Sequence, residues 1–187
     1  MGLALVRYQM WSFAKMPFLL MLLGAGVAGW FWFNRGRQGA VALLDAAEEV
    51  RLAARRFGFK GRANVHPVET VEDPRVLMAM IAAGFVELDG APLREQVAKI
   101  SASLAQNNRI TLDESDEMLV LARWLVGQCG GAEPAIARGV RRLYKLRGAQ
   151  DLGGLMDLVQ DGVLAGSGGL TARQKEALAE ITRGLRI

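Results

Sequence analysis

Acid–base and nucleophilic catalysis need titratable groups that converge, and this chain supplies one histidine, His66, and one cysteine, Cys129. His66 falls among Gly58, Gly61, Asn64 and Pro67, a composition that reads as a linker. Cys129 falls at the apolar end of a helical pattern. No paired metal-ligand spacing occurs, and no glycine-rich phosphate loop with its lysine. Gly166-Ser167-Gly168 sets a serine between glycines, but no strand precedes it, so it lacks the context of a nucleophile elbow. Asp89-Gly90 and Asp161-Gly162 look like fragments of calcium loops. Such a loop needs oxygen ligands at alternating positions before the glycine and a glutamate after it. Val86, Glu87 and Leu88 precede the first, and the second has Asp157 and Asp161 without a downstream ligand set. Both read better as turns that end helices, with glycine supplying a positive φ. The expectation is no catalytic residue, no cofactor, no metal ligand, and no enzyme.

The one remaining cluster is basic. Arg138, Arg141, Arg142 and Lys145 share one face of a helix whose other face carries Ile136, Val140, Leu143 and Tyr144. That face could dock an acidic partner or lipid headgroups. The same residues also suit an ordinary solvated face, where the helix C-terminal dipole favours cations.

The elements that would position these groups begin with an apolar run. Residues 16–34, MPFLLMLLGAGVAGWFWFN, carry no charge, and as a helix they would reach roughly 28 Å, near the thickness of a bilayer core. Trp30 to Phe33 suit a headgroup belt, and Arg35 and Arg37 follow. The run predicts a transmembrane helix over 16–34. Before it, Leu3, Val6, Met10 and Phe13 recur at helical spacing, predicting an amphipathic interfacial segment over 1–15. Within the run, Gly24/Ala28 and Ala25/Gly29 are small pairs four residues apart, which would let a partner helix approach closely. Small residues are also common in such spans. Formal net charge is +4, and residues 34–62 carry that excess, with seven basic and three acidic side chains. This predicts a basic juxtamembrane helix and linker over 35–72, attracted to anionic lipid at residues 35–62. A nucleic-acid-binding domain would hold its basic excess in the folded part, so nucleic acid is not expected as a partner. The expected placement is the bacterial inner membrane, single-pass, with the N-terminus out and the C-terminal domain cytoplasmic.

From residue 38 the pattern is helical throughout, and no alternating strand pattern competes. Gln38 to Phe57 forms one amphipathic stripe through Leu44, Ala47, Val50, Ala54 and Phe57. Asp73-Pro74 is an N-cap with proline in the first turn, opening a helix from Arg75 to Leu88. That helix is apolar nearly all round and predicts a central position in a bundle. Further helices are predicted from Pro92 to about Gln106, from the capping box at Thr111 to Gly130, and from Glu133 to Gly148. Two more follow, from about Ala149 to Asp161 and from the capping box at Thr171 to about Leu185.

Residues 73–187 resemble the TerB-like helical domain of tellurite-resistance proteins. The resemblance rests on Asp73-Pro74-Arg75-Val76-Leu77-Met78-Ala79-Met80-Ile81-Ala82-Ala83 and on Leu88-Asp89-Gly90 followed by Leu93-Arg94-Glu95. A later echo runs from Leu155-Met156-Asp157-Leu158 to Gln160-Asp161-Gly162-Val163-Leu164, before a helix begun by Leu170-Thr171. Ala91-Pro92 stands where the family is more acidic, and Ala165 to Gly169 looks inserted. His66-Pro67 lacks the aspartate of the J-domain His-Pro-Asp motif, with Val68 in its place. The resemblance implies an interaction module and a compact all-α bundle.

The full expectation is an all-α chain, one transmembrane helix followed by a TerB-like bundle. It would act as a non-enzymatic, membrane-anchored accessory or scaffolding subunit of a larger membrane protein complex, such as a respiratory one. Its partner contacts would come from Gly24, Ala25, Ala28 and Gly29 in the span and from Arg138, Arg141, Arg142 and Lys145 in the bundle. The alternative is a tellurite or stress-response factor, or an envelope-signalling factor, with a metal-linked TerB-like domain.

Overall fold

The computed structural model describes residues 47–59, 64–166 and 169–186. Seven α-helices and one 3₁₀ turn make up the described part: α1 over 47–56, η1 Pro67–Thr70, α2 Pro74–Glu87, α3 Arg94–Asn108, α4 Leu112–Gln128, α5 Ala132–Arg147, α6 Leu152–Leu164 and α7 Ala172–Arg186. Residues from Glu48 onward form one compact unit.

The architecture follows from α2. Asp73 Oδ1 accepts the Arg75 N–H at 2.9 Å, and Pro74 occupies the first turn, so the helix starts where the sequence places it. Every residue from Val76 to Val86 is buried. A helix with no polar face is stable only when neighbours cover it on all sides. Here α5, α4, α6 and α3 do so, and α7 closes the bundle by packing on α5.

Small residues set how closely these helices approach. A Cβ on Gly139 of α5 would stand 2.7 Å from Met80 Cε and 2.8 Å from Ile81 Cγ1, so α2 and α5 meet nearly backbone to side chain there. Between α3 and α4 the contact is partly polar. The Ser101 hydroxyl donates to Asp116 Oδ1 at 2.5 Å, and the Ser115 hydroxyl donates to the Ser101 carbonyl at 2.7 Å. Both serines are buried and both are satisfied.

Several sequence expectations are corrected. Among the described residues, no helix is long and apolar enough to cross a membrane. The helix with no polar face, α2, has 14 residues, against the roughly 20 that a bilayer core requires, and its apolar surface is covered by its neighbours. The described fold is therefore all-α without a membrane-spanning element, and the single-pass inner-membrane placement does not stand. The interfacial segment 1–15 and the run 16–34, with Gly24, Ala25, Ala28 and Gly29, lie outside the described residues. So do residues 38–46 of the first predicted helix and most of the basic excess at 34–62.

The segment read as a linker contributes to the core. Val68 within η1 and Val71 at its end are buried, and the Arg142 guanidinium donates to the Val71 carbonyl from Nε at 3.0 Å and Nη2 at 2.8 Å. Asp161-Gly162 also departs from expectation, because α6 runs through it to Leu164. Gly90 does end its helix with φ +127°. Gly162 instead serves packing: a Cβ there would lie 3.0 Å from both Ile100 Cδ1 and Val86 Cγ1. Two aspartate–glycine pairs alike in sequence thus serve one as a turn and one as a helix contact.

Candidate interaction groove

Helices α6 and α7 are consecutive but scarcely touch. The first packs on α3 and α2, the second on α5, and a groove lies between them. Its wider part is an apolar trough of about 430 Å³ between Met156, Val159, Val163 and Leu164 on the α6 side and Leu170 and Leu178 on the α7 side. Leu164 is 69% exposed, the most exposed large hydrophobic residue described. The trough wall on α6 follows the i, i+3, i+7 spacing of Met156, Val159 and Val163, so it is about two helical turns long.

A smaller polar pocket of about 230 Å³ adjoins the trough, sharing Val163 and Gly169. Local chain chemistry builds it from two helix starts. At α7 the Thr171 hydroxyl accepts the Gln174 N–H at 3.2 Å, and Gln174 Oε1 accepts the Thr171 N–H at 3.1 Å. This is the reciprocal box that the sequence predicted. At α3, Gln96 Oε1 accepts the Leu93 N–H at 2.9 Å, and Gln96 Nε2 donates to the Gly162 carbonyl at 3.2 Å. Leucine cannot return the bond, so Leu93 carries no capping signal of its own.

Asp89, just past the end of α2, joins these parts by accepting the Thr171 hydroxyl proton at 2.7 Å. Thr171 therefore caps one helix and ties it to the end of another. Thr171→Val should lose both functions and about 1–2 kcal/mol of stability. Urea unfolding checks this, and a loss below about 0.3 kcal/mol would show that the tie contributes nothing.

The sequence-predicted basic face does not act as one unit. Arg142 is committed to the Val71 carbonyl, and Arg141 donates to the Ala137 carbonyl at 3.2 Å on its own helix. Lys145 is exposed, and Arg138 is half-buried near Cys129. One of the four thus secures the loop before α2, which helical spacing alone could not reveal.

His66 is a structural histidine. Its Nδ1 accepts the Val68 N–H at 3.3 Å, and Nε2 lies 3.3 Å from the Gln128 carbonyl, which it can reach as a donor in the neutral Nε2–H form. The ring ties the segment before η1 to the end of α4. Cys129 is partly buried, and that burial raises its thiol pKa above the ordinary value, against a smaller lowering by Arg138. A raised pKa means less thiolate at any given pH. Alkylation by iodoacetamide should therefore reach half its limiting rate at a higher pH than for cysteine in a short peptide. A lower midpoint would reveal an activated thiol.

Among the described residues, no three His, Cys, Asp or Glu side chains are grouped to hold a metal ion. The two aspartates considered as calcium-loop fragments have protein partners: Asp89 has Thr171, and Asp161 has Lys99 at 3.8 Å.

No known protein family, curated protein or solved structure matches the chain.

The groove as a whole has no periodic signature in the sequence. Val163 and Leu164 stand immediately before Ala165-Gly166-Ser167-Gly168-Gly169, and Leu170 immediately after. Bulky apolar residues on both sides of a glycine-rich connection were the available signal.

Proposed function

We propose that residues 48–187 form a non-enzymatic interaction module, an accessory or scaffolding unit that holds a partner within a larger protein assembly. The observation that carries this reading is the apolar trough between α6 and α7, with Leu164 on its rim. Exposing large aliphatic side chains around a concavity is unfavourable in water and is characteristic of surfaces that bind something. The titratable groups support the same reading. His66 is committed to two backbone groups, and burial pushes the Cys129 thiol up rather than down. The TerB-like order of Leu88-Asp89-Gly90 and the later Gln160-Asp161-Gly162 echo belongs to the proposal, because it too points to a binding domain.

Affinity purification of the full chain from its own cells, in mild conditions, tests the reading. A protein recovered in fixed stoichiometry is the expected result. Recovery of the chain alone, as a monomer, would overturn it.

A further inference from the structure

We propose that the α6–α7 trough receives one amphipathic α-helix of a partner protein, with Lys or Arg side chains along the flank that faces α6. This rests on the interaction-module reading above and specifies what the module binds.

Shape argues for a helix. Two helices that do not pack on each other present two walls against which a third can pack, at the usual interaxial spacing of about 8–10 Å. The α6 wall is about two turns long, the length covered by residues i, i+3 or i+4, and i+7 of an incoming helix. No lining residue of the trough is charged, so the inserted face must be apolar.

Charge argues for the basic flank. Helix α6 carries Asp157 and Asp161 and no cation, and Asp157, Gln160, Asp161 and Leu164 form one strip beside the trough. Asp157 and Gln160 are exposed, and Asp89 stands exposed at the polar end. Nearby cations are partly engaged: Lys99 sits 3.8 Å from Asp161, and Arg173 holds Glu133 at 2.6 Å. Among the described residues Asp157 makes no ion pair, and Asp89 accepts from Thr171 through Oδ2 and lies in the field of Arg173. The exposed Lys175 lies on the opposite, α7 side. Helix α7 carries exposed charges of both signs, Lys175 with Glu176 and Glu180, whereas the charges on α6 are all acidic, which orients a helix whose basic flank faces α6. At the polar end, Gln174 is 8% exposed and its Nε2 makes no hydrogen bond among the described residues, leaving a donor for a polar group of the partner.

The test places a photo-crosslinking amino acid at position 160 in the full chain, expressed in its own cells, with position 145 on α5 as the control. Crosslinked peptides are then sequenced. The expected product at 160, absent at 145, is one segment of another protein with apolar residues at i, i+3 or i+4 and i+7, flanked by Lys or Arg. Leu164→Ser should lower the yield by about tenfold, and Asp157→Lys by about fivefold, more so at low salt. Because both residues are exposed, an unchanged thermal midpoint checks that neither variant acts through folding. Crosslinks to residues 1–46 of this chain, to a second copy, to a lipid or small molecule, or to a segment without helical spacing would overturn the proposal. So would equal yields with Asp157→Lys. A stoichiometric partner that never crosslinks at 160 overturns the groove assignment alone. The absence of any partner overturns the module reading with it.

Discussion

Phe85→Ala should cost about 3–5 kcal/mol of folding stability. Phe85 is 0% exposed and stands on α2, where four helices converge. Its removal leaves a cavity that the neighbours cannot close together, because Gly139 already brings α5 hard against Met80 and Ile81 of α2. That loss is a large share of the about 5–15 kcal/mol that holds a typical domain folded. Urea denaturation should show a much lower midpoint with an unchanged slope. Leu52→Ala, at a site 52% exposed, should stay within about 0.5 kcal/mol. If Phe85→Ala lost less than about 1 kcal/mol, α2 would not be the centre of the bundle.

The second large effect is expected from adding volume. In Gly139→Leu, the Cβ alone already falls 2.7 Å from Met80 Cε and 2.8 Å from Ile81 Cγ1. Met80 can swing its terminal methyl aside, but Ile81 is branched at Cβ and has few rotamers. Three further carbons must then push α5 off α2. The expected loss is about 3 kcal/mol or more, even after leucine's better helix propensity offsets about 1 kcal/mol. Differential scanning calorimetry should show the midpoint lowered by roughly 10 °C or non-cooperative melting. Gly127→Ala is the matched control. Nothing lies within 4 Å of its Cβ, and it should gain about 0.5 kcal/mol. If both substitutions were neutral, the close contact at Gly139 would not be what positions α5.

Much of the helical order was legible because local chemistry set it. Asp73-Pro74, Thr111 and Thr171 all start helices where their side chains cap backbone N–H groups, and Gly148 ends α5 with φ +61°. The centrality of α2 was legible from its lack of a polar face. What escaped was non-local. Val68 and Val71 read as linker because five or six residues carry no periodicity, yet they are buried. Gly162 read as a turn because its reason for being glycine lies on α2 and α3, far away in the chain. The basic face was visible as spacing, but the partner of Arg142 is a carbonyl 71 residues upstream. The groove escaped for the same reason: it exists because α6 and α7 choose different partners, and no sequence window contains that choice.

The position of α2 also bears on how the protein is made. It is complete at Glu87, but the last of the helices that pack directly on it, α6, is complete only at Leu164. Synthesis proceeds at about 5–20 residues per second, so α2 leaves the ribosome about 4–15 s before its cover is finished. Through that interval a helix of 14 residues with no wettable side is without its full set of neighbours. The nascent chain from Glu87 to Leu164 is thus the stretch of synthesis over which a holding chaperone has most to protect.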